Sequence, residues 1–187
     1  MFLPNVLPEE VIVVKDGPLT EELEQVSCSY QKQEQTLKVI TLEQNMGLGK
    51  ALQVGLEHCQ FELVARMDTD DICKPKRFEK QVHFMEMHPD ISVVGTWIEE
   101  FSESKEKVES IRELPLENEQ LLKFMKWRNP FNHMTVMFRK QAVIYLGSYQ
   151  PFYLLEDYYL WNRMANAGLN LLTLESACYG LGEAITC

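Results

Sequence analysis

Cysteine is scarce and unpaired in this chain. Cys28, Cys59, Cys73, Cys178 and Cys187 are scattered over 187 residues, odd in number and without a C-x-x-C pair. That argues against a disulfide framework or a zinc ribbon and predicts reduced thiols. The histidines form no H-E-x-x-H pattern, so a zinc peptidase is not indicated. Basic residues are outnumbered: 18 Lys and Arg face 28 Asp and Glu, a formal net charge of -10. Nucleic-acid binding needs clustered cations against phosphate, so no nucleic-acid partner is expected. No apolar run approaches the roughly 20 residues that span a bilayer. Prolines and acids, rather than cations and an apolar block, follow Met1, so no signal peptide is read. The expected compartment is the cytoplasm, with peripheral association at the inner face of the cell membrane left open. No internal repeat or low-complexity tract appears.

What is present is an ordinary globular composition, 45% hydrophobic and 25% charged. It suits one domain over residues 1–187 with a substantial core. "EVIVVKDG" reads as a buried strand from Val11 to Val14, stopped by Asp16-Gly17. A helix follows near Glu21, with Thr20 as its N-cap. "TLKVITLE" is the next strand. Leu48, Ala51, Leu52, Gly55, Leu56 and Cys59 then fall at helical spacing on one face. Phe61 to Met67 reads as a strand ending at aspartates. A helix after Pro75 carries Phe78, Val82 and Met85 as its apolar stripe. "ISVVGTWI" and "MTVMFRK" are strands. Glu117 to Trp127, "QAVIYLG" and "LLEDYYLWNRMANAG" are helices, and "LNLLTL" is a last strand. "SESKEKVES" reads as a solvated loop or hairpin tip. Alternating strands and helices predict an α/β fold with a mostly parallel sheet flanked by helices. In such sheets ligands bind at the carboxyl ends of strands, where both Asp16 and the Asp68 group would sit.

Asp68, Asp70 and Asp71 raise a chemical question, because close like charges at a strand end cost free energy unless offset. Arg66 and Arg77 can supply that offset. So can a divalent cation: carboxylates at i and i+2 with added carbonyls and water suit Mg²⁺ or Mn²⁺. A lone D-x-D more often marks a solvated acidic turn. The apolar strand before it and the second acidic site at Asp16 favour the metal. "NMGLGK", Asn45 to Lys50, can admit a phosphate at a helix start, but it is neither G-x-G-x-x-G nor a Walker A loop. A tightly packed helix start explains it better. Glu156 and Asp157 open a helix, where acids pair favourably with the dipole. Flanked by Leu155, Tyr158 and Trp161, a carboxylate there also has the desolvated surroundings of a general base. A lone His133 is more often a structural donor than a catalyst.

Taken in order, "VIVVKDGPLTEEL", "NMGLGKALQVGLEHC", "ELVARMDTDDICKPKRFEKQ", "ISVVGTWIEEF", "RNPFNHMTVMFRK" and "EDYYLWNRM" closely resemble family 2 glycosyltransferases of the GT-A fold. The nearest branch builds bacterial capsule, exopolysaccharide or O-antigen chains. The resemblance covers nearly the whole chain. It implies inverting transfer of a sugar from a nucleotide sugar, commonly a UDP-sugar, to a hydroxyl of a saccharide or lipid-linked saccharide acceptor. Asp16 then matches the reader of the base. Asp68 matches the Asp near the ribose and diphosphate, Asp70 the ligand of Mg²⁺ or Mn²⁺, and Asp71 a support. Asp157 matches the catalytic base, with Glu156 beside it. Asn45, Lys50 and Arg66 fall in nucleotide-site motifs, and His133 near the sugar or acceptor. No Q-x-x-R-W occurs, which speaks against a processive synthase.

The chain departs from the family pattern at both ends. Family members carry a strand, loop and helix ahead of the segment equivalent to "LPEEVIVV", and basic segments after the one equivalent to "LNLLTLESACYG". The expected domain is therefore truncated and lacks the first strand of the sheet. Two rivals stay open: a catalytically inactive nucleotide-binding or assembly module, and a phosphatase-like enzyme with a nucleophilic strand-terminal Asp.

Overall fold

A computed structural model describes the backbone of residues 6–102 and 107–181, with side chains as far as residue 175. Strands β1 (Val11–Lys15) and β2 (Leu37–Thr41) pair in parallel, Val11 opposite Leu37 and Lys15 opposite Thr41. Helix α1 (Glu21–Gln33) crosses between them. Thr20 caps it as expected, its hydroxyl accepting from the Leu23 amide at 3.4 Å. Helix α2 (Leu48–His58) returns the chain to β3 (Leu63–Ala65). The remaining strands and helices are β4 (Ile72–Cys73), α3 (Arg77–Met87), β5 (Ile91–Phe101), β6 (Ser110–Arg112), α4 (Asn118–Phe124), β7 (Met137–Arg139), α5 (Lys140–Tyr145), α6 (Glu156–Asn166) and β8 (Asn170–Leu181). A 3-10 turn, His133–Thr135, precedes β7.

The second sheet has the order β3-β7-β5-β8-β4, with β6 beside β5. The expectation of a mostly parallel sheet needs correcting for its pairings. Only β5 and β8 pair in parallel here; β3–β7, β7–β5, β4–β8 and β5–β6 are antiparallel. The physical reason is β7, which enters reversed between β3 and β5. Those two strands therefore still run the same way as each other and as β8. Two short strands, β4 and β6, escape the pattern reading because each offers too few residues to show a period. Glu100 pairs with Ser110 across the β5–β6 hairpin. The hairpin tip expected within "SESKEKVES" lies partly outside the described residues, at 103–106. Among the described residues no backbone pairing joins β1–β2 to the larger sheet.

Apolar packing covers both faces of the larger sheet. Val93 and Phe138 join one cluster with Leu56, Leu121, Val143, Leu160 and Trp161, from α2, α4, α5 and α6. Their strand neighbours Val94 and Met137 join the other, with Met85 of α3. Successive strand residues point to opposite faces, so one β5 strand serves two cores. Each fully buried Leu, Val or Phe contributes about 1.5–3 kcal/mol. This double cover holds the carboxyl end of β3 and the start of α6 in place.

Candidate active site

The candidate residues stand after β1, before α2, after β3, before β7 and at the start of α6. After β3 the chain runs Arg66-Met67-Asp68, and the Arg66 amide extends the pairing by donating to the Val136 carbonyl at 2.8 Å. Arg66 donates through Nη2 to Asp68 and through Nη1 to the Met67 carbonyl. One offset for the acidic cluster is therefore Arg66. Arg77 does not play that part. It is fully buried and donates to the Arg66 carbonyl at 2.7 Å, the Val136 carbonyl at 3.3 Å and Gln81 Oε1 at 2.9 Å. Gln81 in turn donates to the Thr135 carbonyl at 2.8 Å. Buried polar groups of this kind are tolerated because each donor finds an acceptor. Together they clamp the loop carrying Asp68 to α3 and to the turn before β7. Asp70 is exposed and Asp71 half-buried.

Asp16, at the end of β1, accepts from the Met46 amide at 2.6 Å and the Gly47 amide at 2.9 Å. Its carboxylate thus staples the β1 end to the "NMGLGK" loop. Gly17 allows the approach: its φ is +101°, and a β-carbon there would lie 2.9 Å from the Asn45 nitrogen. Asn45 is exposed, its Oδ1 accepting from the Gly47 amide at 3.2 Å. Lys50 donates to Gln53 at 3.2 Å. Gly49 faces the start of α6, where Gln150, Pro151 and Glu156 crowd it.

Asp157, in the first turn of α6, accepts from Asn129 Nδ2 at 2.6 Å and from the Tyr158 amide at 2.7 Å. Its pKa is raised, chiefly by burial, with Glu156 adding repulsion; the two hydrogen bonds oppose the rise. Glu156 beside it is buried. His133 meets the Tyr149 hydroxyl at 3.2 Å and the Trp161 ring edge-on. Burial, helped by the Arg66 charge, lowers the His133 pKa to about 3, so its ring is neutral. Tyr149 is buried, and its hydroxyl is held far above the usual phenol range by burial and by the charges of Asp157 and Asp68.

Tyr149 links part of this set: its hydroxyl meets His133, and the charges of Arg66, Asp68 and Asp157 act on it. Asp16, Asn45 and Lys50 stand on the neighbouring α2 side. Neither Tyr149 nor Asn129 stood out in the sequence. Asn129 in "RNPF" sits beside the quoted His133 motif, but nothing local links it to Asp157.

A metal fits this set only with help from a ligand. Among the described residues no three His, Cys, Asp or Glu side chains converge. Asp70, with Asp68 partly engaged by Arg66, offers one or two carboxylates. Mg²⁺ is commonly held that way, with substrate phosphates and water completing its shell.

Comparison with known proteins bears on the family and the fold. The family model described as "Glycosyl transferase family 2" matches residues 5–147. The amylovoran biosynthesis glycosyltransferase AmsE of Erwinia amylovora is 47% identical over 86% of this chain and 59% of its own length. The Escherichia coli UDP-Gal:alpha-D-GlcNAc-diphosphoundecaprenol beta-1,3-galactosyltransferase is 41% identical over 91% of this chain and 61% of its own. The chain thus spans about three fifths of these curated relatives. Staphylococcus aureus TarS in complex with UDP-GlcNAc superposes with a TM-score of 0.71 at 22% identity, over 95% of this chain and 51% of that one. The mannosyltransferase PcManGT of Pyrobaculum calidifontis, with GDP-Man and Mn²⁺, gives 0.69 at 16% identity, over 96% and 50%. These two share the GT-A fold with this chain. The phosphatase-like rival loses its ground. The chain belongs to glycosyltransferase family 2.

Proposed function

We propose that this chain carries the donor site and the general base of an inverting glycosyltransferase. It would move a sugar from a nucleotide sugar, a UDP-sugar, to the hydroxyl of a saccharide or lipid-linked saccharide in bacterial surface-polysaccharide synthesis. The observation that carries this is Asp157, a half-buried carboxylate of raised basicity that shares the Tyr149 neighbourhood with strand-terminal Asp68. A base and a leaving-group site on one cleft are what a single displacement requires. Asp16 reads the uracil imide, and Asn45, Lys50 and Arg66 line the nucleotide. The buried Nε of Arg66 has no acceptor among the described residues, a donor left for a phosphate oxygen. His133, being neutral, orients the sugar or acceptor without adding charge. Glu156 lies against Gly49 and supports the Asp157 turn. Asp70, with Asp68, would hold Mg²⁺ or Mn²⁺, which supplies charge that neutralises the departing diphosphate.

Two measurements test the reading. Calorimetry with UDP and Mn²⁺ should show Asp70→Ala binding at least roughly tenfold more weakly, about 1.4 kcal/mol. UDP release from UDP-sugars should depend on a saccharide or lipid-linked acceptor. Equal affinity in the variant removes Asp70 as a ligand. Metal-dependent UDP binding without UDP release from any donor would reduce the chain to a nucleotide-binding module.

A further inference from the structure

Two surface segments meet at the hydrogen bond from Asn129 to Asp157, and each exposes large apolar side chains. Trp127 is 86% exposed, Tyr153 86% and Leu154 75%. Trp127 precedes Asn129 by two residues, which keeps their Cα atoms within about 8 Å. Tyr153 and Leu154 precede Asp157 closely enough to lie within about 15 Å and 11 Å of it. The 2.6 Å bond between Asn129 and Asp157 therefore ties together the two segments that carry all three. A second tie, from the Tyr158 hydroxyl to the Met125 carbonyl, holds the same segments together.

The first of these segments carries positive charge as well. Lys126 and Arg128 bracket Trp127 and are both exposed. Neither forms an ion pair among the described residues, on a chain of net charge -10. Leu154 holds a left-handed φ of 63°, costly for a branched residue, yet its side chain gains no burial. Single exposed apolar residues need no explanation, but a cluster with unpaired cations does. Trp and Tyr favour the headgroup level of a bilayer, and Lys and Arg are drawn to its anionic lipids.

We propose that Lys126, Trp127 and Arg128, with Tyr153 and Leu154, form a docking surface for an anionic lipid bilayer. The surface lies beside Asp157, so a lipid-linked acceptor would meet the base at the membrane. That purpose rests on the transferase reading; the docking itself does not.

The test uses this chain with phosphatidylglycerol–phosphatidylcholine vesicles and with pure phosphatidylcholine vesicles. Trp161 is buried and Trp97 half-buried, so a blue shift in tryptophan emission reports Trp127. The expected result is a blue shift and co-sedimentation with the anionic vesicles, weakening as salt screens the charges. Trp127→Ala should lower vesicle partitioning by roughly tenfold, and Lys126→Glu with Arg128→Glu should remove the preference for anionic lipid. Unchanged melting temperatures will establish that both variants are folded. Equal binding to both vesicle types, no binding to either, or parent-like partitioning of folded Trp127→Ala overturns the proposal. Self-association that protects Trp127 without lipid would overturn it too. No transfer assay enters, so failure here leaves the transferase reading standing, and an inactive chain leaves the docking standing.

Discussion

A β-carbon on Gly49 would lie 3.0 Å from Glu156 Cγ and 3.0 Å from the Gln150 carbonyl oxygen. The starts of α2 and α6, far apart in sequence, thus touch with no room for a methyl group. Gly→Ala inside a free helix stabilises by about 0.5–1 kcal/mol. Here Gly49→Ala has to push the segment before Asp157 aside. We expect stability in urea to fall or stay level, and sugar transfer to drop while UDP affinity holds. A gain of the free-helix size would mean that the contact relaxes without consequence.

Asp16 is expected to have two effects that can be separated. Asp16→Ala removes the acceptor of the Met46 and Gly47 amides, a loss of about 0.5–1.5 kcal/mol per bond at most, since water can reach them. If Asp16 also accepts the uracil imide, the variant loses more affinity for UDP than for pyrophosphate, because only UDP carries that donor. Parallel losses in titration calorimetry would confine Asp16 to its loop.

Asp157→Asn keeps the shape of the side chain and, with its amide turned, can still accept from Asn129. It cannot take a proton. Losing a placed general base typically costs about 10²–10⁴ in rate. Transfer should fall by that much, with UDP and metal binding unchanged. Near-parent turnover would make Asp157 a helix-start acid and turn attention to Glu156.

His133 sets an expectation for pH. Its pKa is about 3 in the folded chain, against an ordinary 6.5. Between those values the unfolded chain binds a proton that the folded chain refuses, so stability is full above the upper value and falls as pH drops through the window. The raised carboxyl of Asp157 acts in the opposite sense, favouring the fold at the acidic side of its own titration. His133→Gln should flatten the decline of the urea midpoint between about pH 6.5 and 3. An unaltered decline would assign it to other groups.

Much of this protein was legible in its residues. Apolar periodicity located α2 and α3, and Thr20 marked a helix start, because capping and period act within one turn of chain. Aspartates at strand ends flagged Asp16 and Asp68, because an α/β chain brings strand ends to one edge. The reading of "NMGLGK" as a tightly packed helix start agrees with the crowding around Gly49. What tertiary structure alone decided is every contact between distant segments. It reversed β7 between β3 and β5, a choice that short strands do not encode in their own pattern. It gave Asp68 to Arg66 and sent Arg77 inward onto backbone carbonyls, although both arginines are near neighbours of the aspartates in sequence. It also set Asn129 on Asp157 and Tyr149 among Arg66, Asp68 and His133. Local sequence specifies the conformation of a few successive residues. Burial, pKa and hydrogen-bond partners depend on which segments the core packs together, so they exist only once the chain has folded.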